Sequence, residues 1–459
     1  MISASPSMLS KLAKPSKPSK PSNPSKPSNP SKPFKPFKHR IPASLLFLCM
    51  ACSLLGTHSS TAQDWPAWRG PSGNGISLPA DIPLTFSPTN KVIWSIDLPG
   101  RGSSCPSIKD HRIYLTSPVQ GEDALIAYDL NGKELWTKTF GKERAGKHKN
   151  GSGSNPTPAV SDTHIYAYYK SGTLAAVKHD GTLAWKTNLQ ERFGEDTLWW
   201  DLGTSPVLAA GHVIIAVMQD NDSYLVAFDE DGGELAWKTD RNYDVQVETG
   251  QSYCTPQVFR QGGKPILVTF GADRLTGHHA GSGELVWECG GFNPENKSKW
   301  RTIASPAISD GIAFVTYGRA GHIAAVKLGG KGDITKNRLW EKAGIGADVP
   351  TPLAFNGHAL LLTDKGLLSF MDIKTGEEKW RSQLPSNKGR IKYYASPAMA
   401  GDKLLMVRED GLIVTGTADE TGFSKVSEID MGQRIVATPV IVRNRIYLRG
   451  IEQLFCIGN

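Results

Sequence analysis

The chain has 459 residues, with 52 Lys/Arg against 44 Asp/Glu and a formal charge of +8. The surplus sits in residues 1–63, which hold nine Lys/Arg and no acid, so the rest carries 43 basic against 44 acidic residues, a net of −1. A neutral body excludes a broad nucleic-acid-binding surface, and its length calls for two or three domains or one repeat domain.

Residues 14–40 read KPSKPSKPSNPSKPSNPSKPFKPFKHR, with Pro at nearly every third position. That spacing favours an extended polyproline-like chain without an apolar face, so residues 1–40 form a disordered basic tail. Residues 41–63 follow with the apolar stretch IPASLLFLCMACSLLG behind Lys38-His39-Arg40. A charged flank, roughly 15 apolar residues and small Ser60 and Ala62 before the break describe a secretory signal peptide. The stretch is short for a membrane span, which needs about 20 apolar residues. Cys49 and Cys52 have CxxC spacing but lie inside this apolar stretch, a poor place for a metal. Beyond it stand Cys105, Cys254, Cys289 and Cys456, for which buried thiols and disulfides both fit.

After an N-terminal extension over 64–89, a repeat begins. A small residue followed by Pro opens an apolar strand at Pro106, Pro158, Pro206, Pro256, Pro306, Pro352, Pro397 and Pro439. The spacings run from 42 to 52 residues. Each unit continues with two more strands rich in Ile, Val, Leu and Tyr, a Gly-bearing turn and a short strand ending in Trp. Four short strands per unit of this length form a β-propeller blade. The fold expected over 90–459 is all-β: an eight-bladed propeller of four-stranded antiparallel blades.

Trp136, Trp185, Trp237, Trp287, Trp340 and Trp380 end units one to six, whereas unit seven ends in FSKVSEIDM without one. Unit eight stops at Asn459 after three strands. Its fourth is expected from NKVIWSIDL, residues 90–98 with Trp94, which would close the ring and hide two sheet edges.

The segments AYDLNGKELW (127–136), AFDEDGGELAW (227–237) and MDIKTGEEKW (371–380) resemble the tryptophan-docking repeat of quinoprotein dehydrogenase-type propellers. The resemblance covers Trp65 to Asn459, and DWPAWRGPSGNGIS (64–77) is similar to the mature start of secreted PQQ-like repeat proteins. Two groups share the repeat: enzymes holding pyrroloquinoline quinone (PQQ), and non-enzymatic scaffolds of the BamB type. The resemblance implies that Trp94 and the six later tryptophans are structural and dock between blades.

PQQ alcohol dehydrogenases of the familiar kind stack the quinone on a ring of two adjacent, disulfide-bonded cysteines, and this chain has no such pair. It also lacks a CxxCH haem site beyond the signal segment and an obvious calcium loop. QDNDS (219–223) reads as a solvated hairpin tip. GKERAGK (141–147) fits GxxxxGK, yet His148 replaces the Ser/Thr that would hold magnesium, and no helix follows. His278 and His279 are neighbours on a strand and point to opposite faces.

The loops joining one unit's outer strand to the next inner strand must surround the channel on one face. They carry His148, Trp199, Trp200, Tyr243, Trp300, Arg301, Tyr393, Tyr394 and Arg434, side chains suited to anchoring a partner. The expected function is an exported, monomeric, non-catalytic scaffold, periplasmic or associated with the cell envelope and the outer membrane. It would bind a protein or glycan through this face, with no nucleic acid, catalytic residue or metal and no cofactor expected. The alternative is a PQQ-dependent alcohol or sugar dehydrogenase using calcium.

Overall fold

The computed structural model describes residues 64–386 and 390–459, all within one compact unit, 61–459. The expected tail and signal peptide lie outside the described residues. Eight sheets follow in chain order, each a four-stranded antiparallel blade running from an inner to an outer strand, two of them with an added parallel strand. They span 107–142, 159–188, 207–240, 257–289, 307–343, 353–383, 398–430 and, as blade 8, 440–458 completed by Val92–Asp97. That last strand pairs antiparallel with Gln453–Gly458, Trp94 opposite Cys456. The ring closes as the sequence predicts.

Burial tracks position within a blade. The middle strands, such as Arg112–Val119 and Tyr224–Asp229, are buried on both faces because blades stack on either side. They therefore read as continuous apolar runs. Outer strands alternate, as in Arg338–Ala343, because one edge meets water.

The repeated Asp, Gly and Trp act across blades. In blade 1, Asp129 accepts from the backbone N–H groups of Asn131 and Lys133, closing the turn at 2.8 and 2.9 Å. Gly132 in that turn adopts φ +81°, and a Cβ there would lie 3.0 Å from the Trp94 ring. The indole lies flat on the next blade's glycine. Its Nε1–H donates to that turn's carbonyl oxygen: Trp94 to Leu130 (2.8 Å), Trp136 to His179 (3.1 Å), Trp185 to Glu230 (3.1 Å). Trp237 to Ala280 (3.1 Å), Trp340 to Ile373 (3.0 Å) and Trp380 to Asp419 (2.7 Å) repeat it.

Trp287 departs from this expectation. It packs over Gly277 of its own sheet, donates to Gln261 Oε1 at 3.1 Å, and is fully buried. The cause is an insertion in blade 5, whose Gly332–Asp333 pairs parallel with Trp287 and Glu288 and covers the edge. Unit seven's missing Trp also has a substitute. Ile82 and Phe86 of the N-terminal extension are buried with side chains of blades 7 and 8. The Leu84 carbonyl accepts from Thr415 and Ser427 at 2.5 Å each.

A second circuit lines the channel. The residue before each Pro donates its backbone N–H to the hydroxyl before the next Pro. Cys105 donates to Thr157, Thr157 to Ser205, Ser205 to Thr255 and Thr255 to Ser305, at 2.9 to 3.0 Å. Ser305 to Thr351, Thr351 to Ser396 and Ser396 to Thr438 continue at 3.0 to 3.2 Å. The Thr438 N–H returns to Cys105 and shuts the circle. This circuit explains why a small polar residue precedes each Pro.

Candidate functional site at the channel mouth

Residues 64–77 cross the channel on the face of the inner hairpin turns. Trp65 pairs with Ile108, and Val160 donates to the Pro66 carbonyl at 2.8 Å. Buried Arg69 spends its guanidinium on four carbonyls, those of Gly73, Asn74, Thr351 and Pro352. Burial without a carboxylate pushes its pKa down to about 9. Ile76–Ser77 then joins blade 7 as a parallel strand. The channel is thus a cup with Trp68 in its lining, about 440 Å³ in volume.

The loops between blades form the mouth of this cup. Loop 194–204 starts from a short helix, Leu189–Phe193, capped by the Asn188 side chain and ended by Gly194 at φ +104°. It delivers Trp199 and Trp200, 43% and 40% exposed. The Trp199 N–H donates to Gln251 Oε1 at 3.1 Å and the Trp200 indole N–H to Glu248 at 3.2 Å. Buried Arg301 grips Glu248 at 2.9 Å and Asp348 at 3.1 Å, its guanidinium 5.9 Å from the centre of a Trp200 ring. Arg319 stands 3.5 Å from the same Glu248. The Trp200 indole rests on this ionic frame, whereas Trp199 is held through its backbone N–H.

On the other side, Asp201 accepts from the N–H groups of Lys147 and His148 and pairs with buried Lys170. His148 sets its ring edge against Trp200, centroids 5.7 Å apart. Burial, then Lys149, lowers its pKa, and its Nδ1 accepts from the Asn150 N–H at 3.1 Å. It is a neutral ring at neutral pH. Glu409 meets Lys149 at 3.3 Å and Arg434 at 3.8 Å and accepts from Asn150 at 2.7 Å. Asp348 donates its backbone N–H to Asp364 at 2.6 Å, whose carboxyl burial pushes up to about 6.

Of the nine residues picked from sequence, His148, Trp200, Arg301 and Tyr394 line the cup; Trp199 is exposed next to Trp200, and Arg434 pairs with Glu409, outside the lining. Three fall elsewhere. Tyr393 is 1% exposed in the core between blades 6 and 7 and donates to the Pro385 carbonyl, so it is a packing residue. Trp300 packs against His322 and Lys297. Tyr243 lies between Arg241 and Arg274, lining a separate cavity. Sequence reasoning missed Lys170, Asp201, Glu248, Arg319, Asp348 and Glu409. Three of these stand in or beside the turns between second and third strands, which open on the same face.

The residues of the mouth do not fit a quinone held with a divalent cation. Glu248, Asp348, Asp201 and Glu409 are committed to Arg301, Arg319, Lys170, Lys149 and Arg434. Among the described residues no three His, Cys, Asp or Glu side chains group to hold a metal ion, and all four cysteines are free and buried. QDNDS does form the turn between two blade 3 strands, and His278 is buried while His279 is partly exposed.

Comparison with known proteins places the chain in context. The family model for the outer membrane protein assembly factor BamB matches residues 121–346 and 271–459. BamB of Yersinia pestis is 23% identical over 380 residues, covering 77% of this chain and 84% of its own. BamB of Salmonella typhimurium is 25% identical over 301 residues, covering 63% and 69%. Among solved structures, BamB from Moraxella catarrhalis superimposes with TM-score 0.57 at 14% identity, covering 80% of this chain and 99% of that one. Quinohemoprotein alcohol dehydrogenase from Comamonas testosteroni gives TM-score 0.63 at 14% identity, covering 86% and 81%. At such identities the structural likeness speaks for the fold alone.

Proposed function

Because the chain belongs to the family of the outer membrane protein assembly factor BamB, we propose that it is an exported, non-catalytic scaffold. In this reading it holds a protein partner of the cell envelope on the loop face around its channel. The supporting observation is the pair of exposed indoles, Trp199 and Trp200, on loops pinned by Glu248, Gln251 and Arg301. Exposed tryptophan on a rigid support costs little ordering entropy on binding and makes a strong anchor. The ionic groups around it are paired already, so they set shape and charge instead of reacting.

Relatives named BamB support a place in the cell envelope, as does the signal sequence expected over 41–63. The test is a pair of measurements. Trp199→Ala with Trp200→Ala should leave the melting transition intact and weaken capture of the envelope partner; unchanged capture would move the docking face elsewhere. Purified protein titrated with PQQ and calcium should show no stoichiometric quinone spectrum and no dye-linked alcohol oxidation. Saturable binding with turnover would replace the scaffold reading with a dehydrogenase.

A further inference from the structure

The bonding circle gives the cup a lining of hydroxyls. Ser205, Thr255, Ser305, Thr351 and Ser396 hold consecutive positions of that circle and line the cavity. None is more than 5% exposed. Each oxygen accepts one backbone N–H at 2.9 to 3.0 Å. Their own O–H protons reach no acceptor among the described residues, whereas the Thr157 and Thr438 hydroxyls meet the Cys105 sulfur.

Further groups of the lining are unspent. The Tyr394 hydroxyl and the Trp68 indole N–H make no hydrogen bond among the described residues. Arg301 Nε and Asn150 Oδ1 are buried without a partner, although the other nitrogens of both side chains are engaged. Buried polar groups of this kind mark a place for a ligand or for ordered water. Donors dominate the inventory.

The charges at the lining balance. Asp201 pairs with Lys170, Arg301 bridges Glu248 and Asp348, Arg319 stands by Glu248, and Lys392 acts on the buried Asp364. These acids and bases are equal in number, and Lys149 and Arg434 outside the lining share Glu409. The cup therefore selects neither a strong anion nor a cation.

A saccharide meets this combination. Each of its hydroxyls brings two lone pairs for one proton, and its ring oxygen only accepts, so it answers a donor-rich wall. Its C–H faces suit aromatic rings, here Trp68, Trp200 and Tyr394. A volume of about 440 Å³ lies in the range of small-molecule sites and holds about one or two sugar units. Hydroxyls fixed on a closed ring lose little freedom when a ligand arrives.

We propose that the cup binds the neutral end of an oligosaccharide, its oxygens accepting from the hydroxyl arc and its C–H face against the aromatic wall. Trp199 does not belong to the lining, so sugar binding and capture of a protein partner can fail separately.

The test is calorimetric titration of the purified protein with maltohexaose, cellohexaose and chitohexaose, against citrate and a hexaglutamate peptide. At least one of the sugars should saturate a single site, with an affinity indifferent to salt because the ligand is neutral. Tyr394→Phe and Trp68→Phe, neither of which breaks a hydrogen bond of the fold, should each weaken that sugar by about two- to tenfold with an unchanged melting transition. Failure of all these sugars to saturate at about millimolar concentration, full affinity in both variants, or saturation by citrate or hexaglutamate alone would overturn the proposal. Partner capture that persists under those outcomes would leave the docking reading standing.

Discussion

Trp94 Nε1 donates to the carbonyl oxygen of Leu130 at 2.8 Å, joining the strand that completes blade 8 to the turn of blade 1. This contact crosses the seam of the ring. The Trp94 ring lies flat on Gly132, so burial and hydrogen bond come from one side chain. Trp94→Ala should cost roughly 2–3 kcal/mol, below the range for a fully buried aromatic because the ring is only partly buried. Trp94→Phe keeps most of the ring and leaves the Leu130 carbonyl free, costing about 1–2 kcal/mol. Urea unfolding of the two variants against the parent measures both.

Gly233 supports Trp185 in the same way. Its φ is +76°, and a Cβ would sit 2.4 Å from the indole. Gly233→Ala should therefore destabilise by about 1–3 kcal/mol through backbone strain and displaced indole together. Gly211, with φ +77° and nothing near its Cβ position, tests the backbone part alone. Gly211→Ala should cost less, as compared by thermal unfolding.

The circle of backbone-to-hydroxyl bonds makes a different prediction. Ser305→Ala strips the acceptor from the buried Thr255 N–H, now bonded at 2.9 Å. The expected loss is about 1–3 kcal/mol, with Ser305→Thr close to neutral because it keeps the hydroxyl. Equal stability of Ser305→Ala and Ser305→Thr in denaturant unfolding would show that the circle carries no stability.

Buried Asp123 gives the fold a pH dependence. Burial pushes its carboxyl from an ordinary value of 3.8 up to about 7, and Ser171 donates to one oxygen at 2.6 Å. Between those values the folded chain holds a proton that the unfolded chain has released. Its contribution to stability therefore falls as pH rises from about 4 to about 7 and levels off above. Asp123→Asn should remove this slope, gaining on the parent at pH about 8 and matching it near pH about 4. Urea midpoints at the two pH values check it.

The blade number, register and ring closure were legible because Pro, Gly and Trp recur with one period and each has a fixed mechanical task. Trp94 lies outside that series, yet its strand pattern and the short last unit pointed to the same closure. The bonding circle was hidden because Ser and Thr before Pro look like ordinary turn residues until eight of these sites meet around one axis. Trp287 could not be told from its fellows, since the insertion that covers it lies in blade 5. At the mouth, the long loops announced Trp199, Trp200 and Arg301 by their aromatic and basic composition. The acidic partners of Trp200 and Arg301, Glu248 and Asp348, come from other loops as single residues without spacing. Tyr393 and Tyr394 are neighbours in sequence, and nothing in their order tells which one turns inward.

The most direct measurement of the docking face is photo-crosslinking in the native envelope from p-benzoylphenylalanine placed at position 200, at the mouth, or at 374, in an exposed turn on the opposite face. The account predicts one discrete protein adduct from position 200 and none from 374. An adduct from 374 alone, or equal adducts from both, would contradict it.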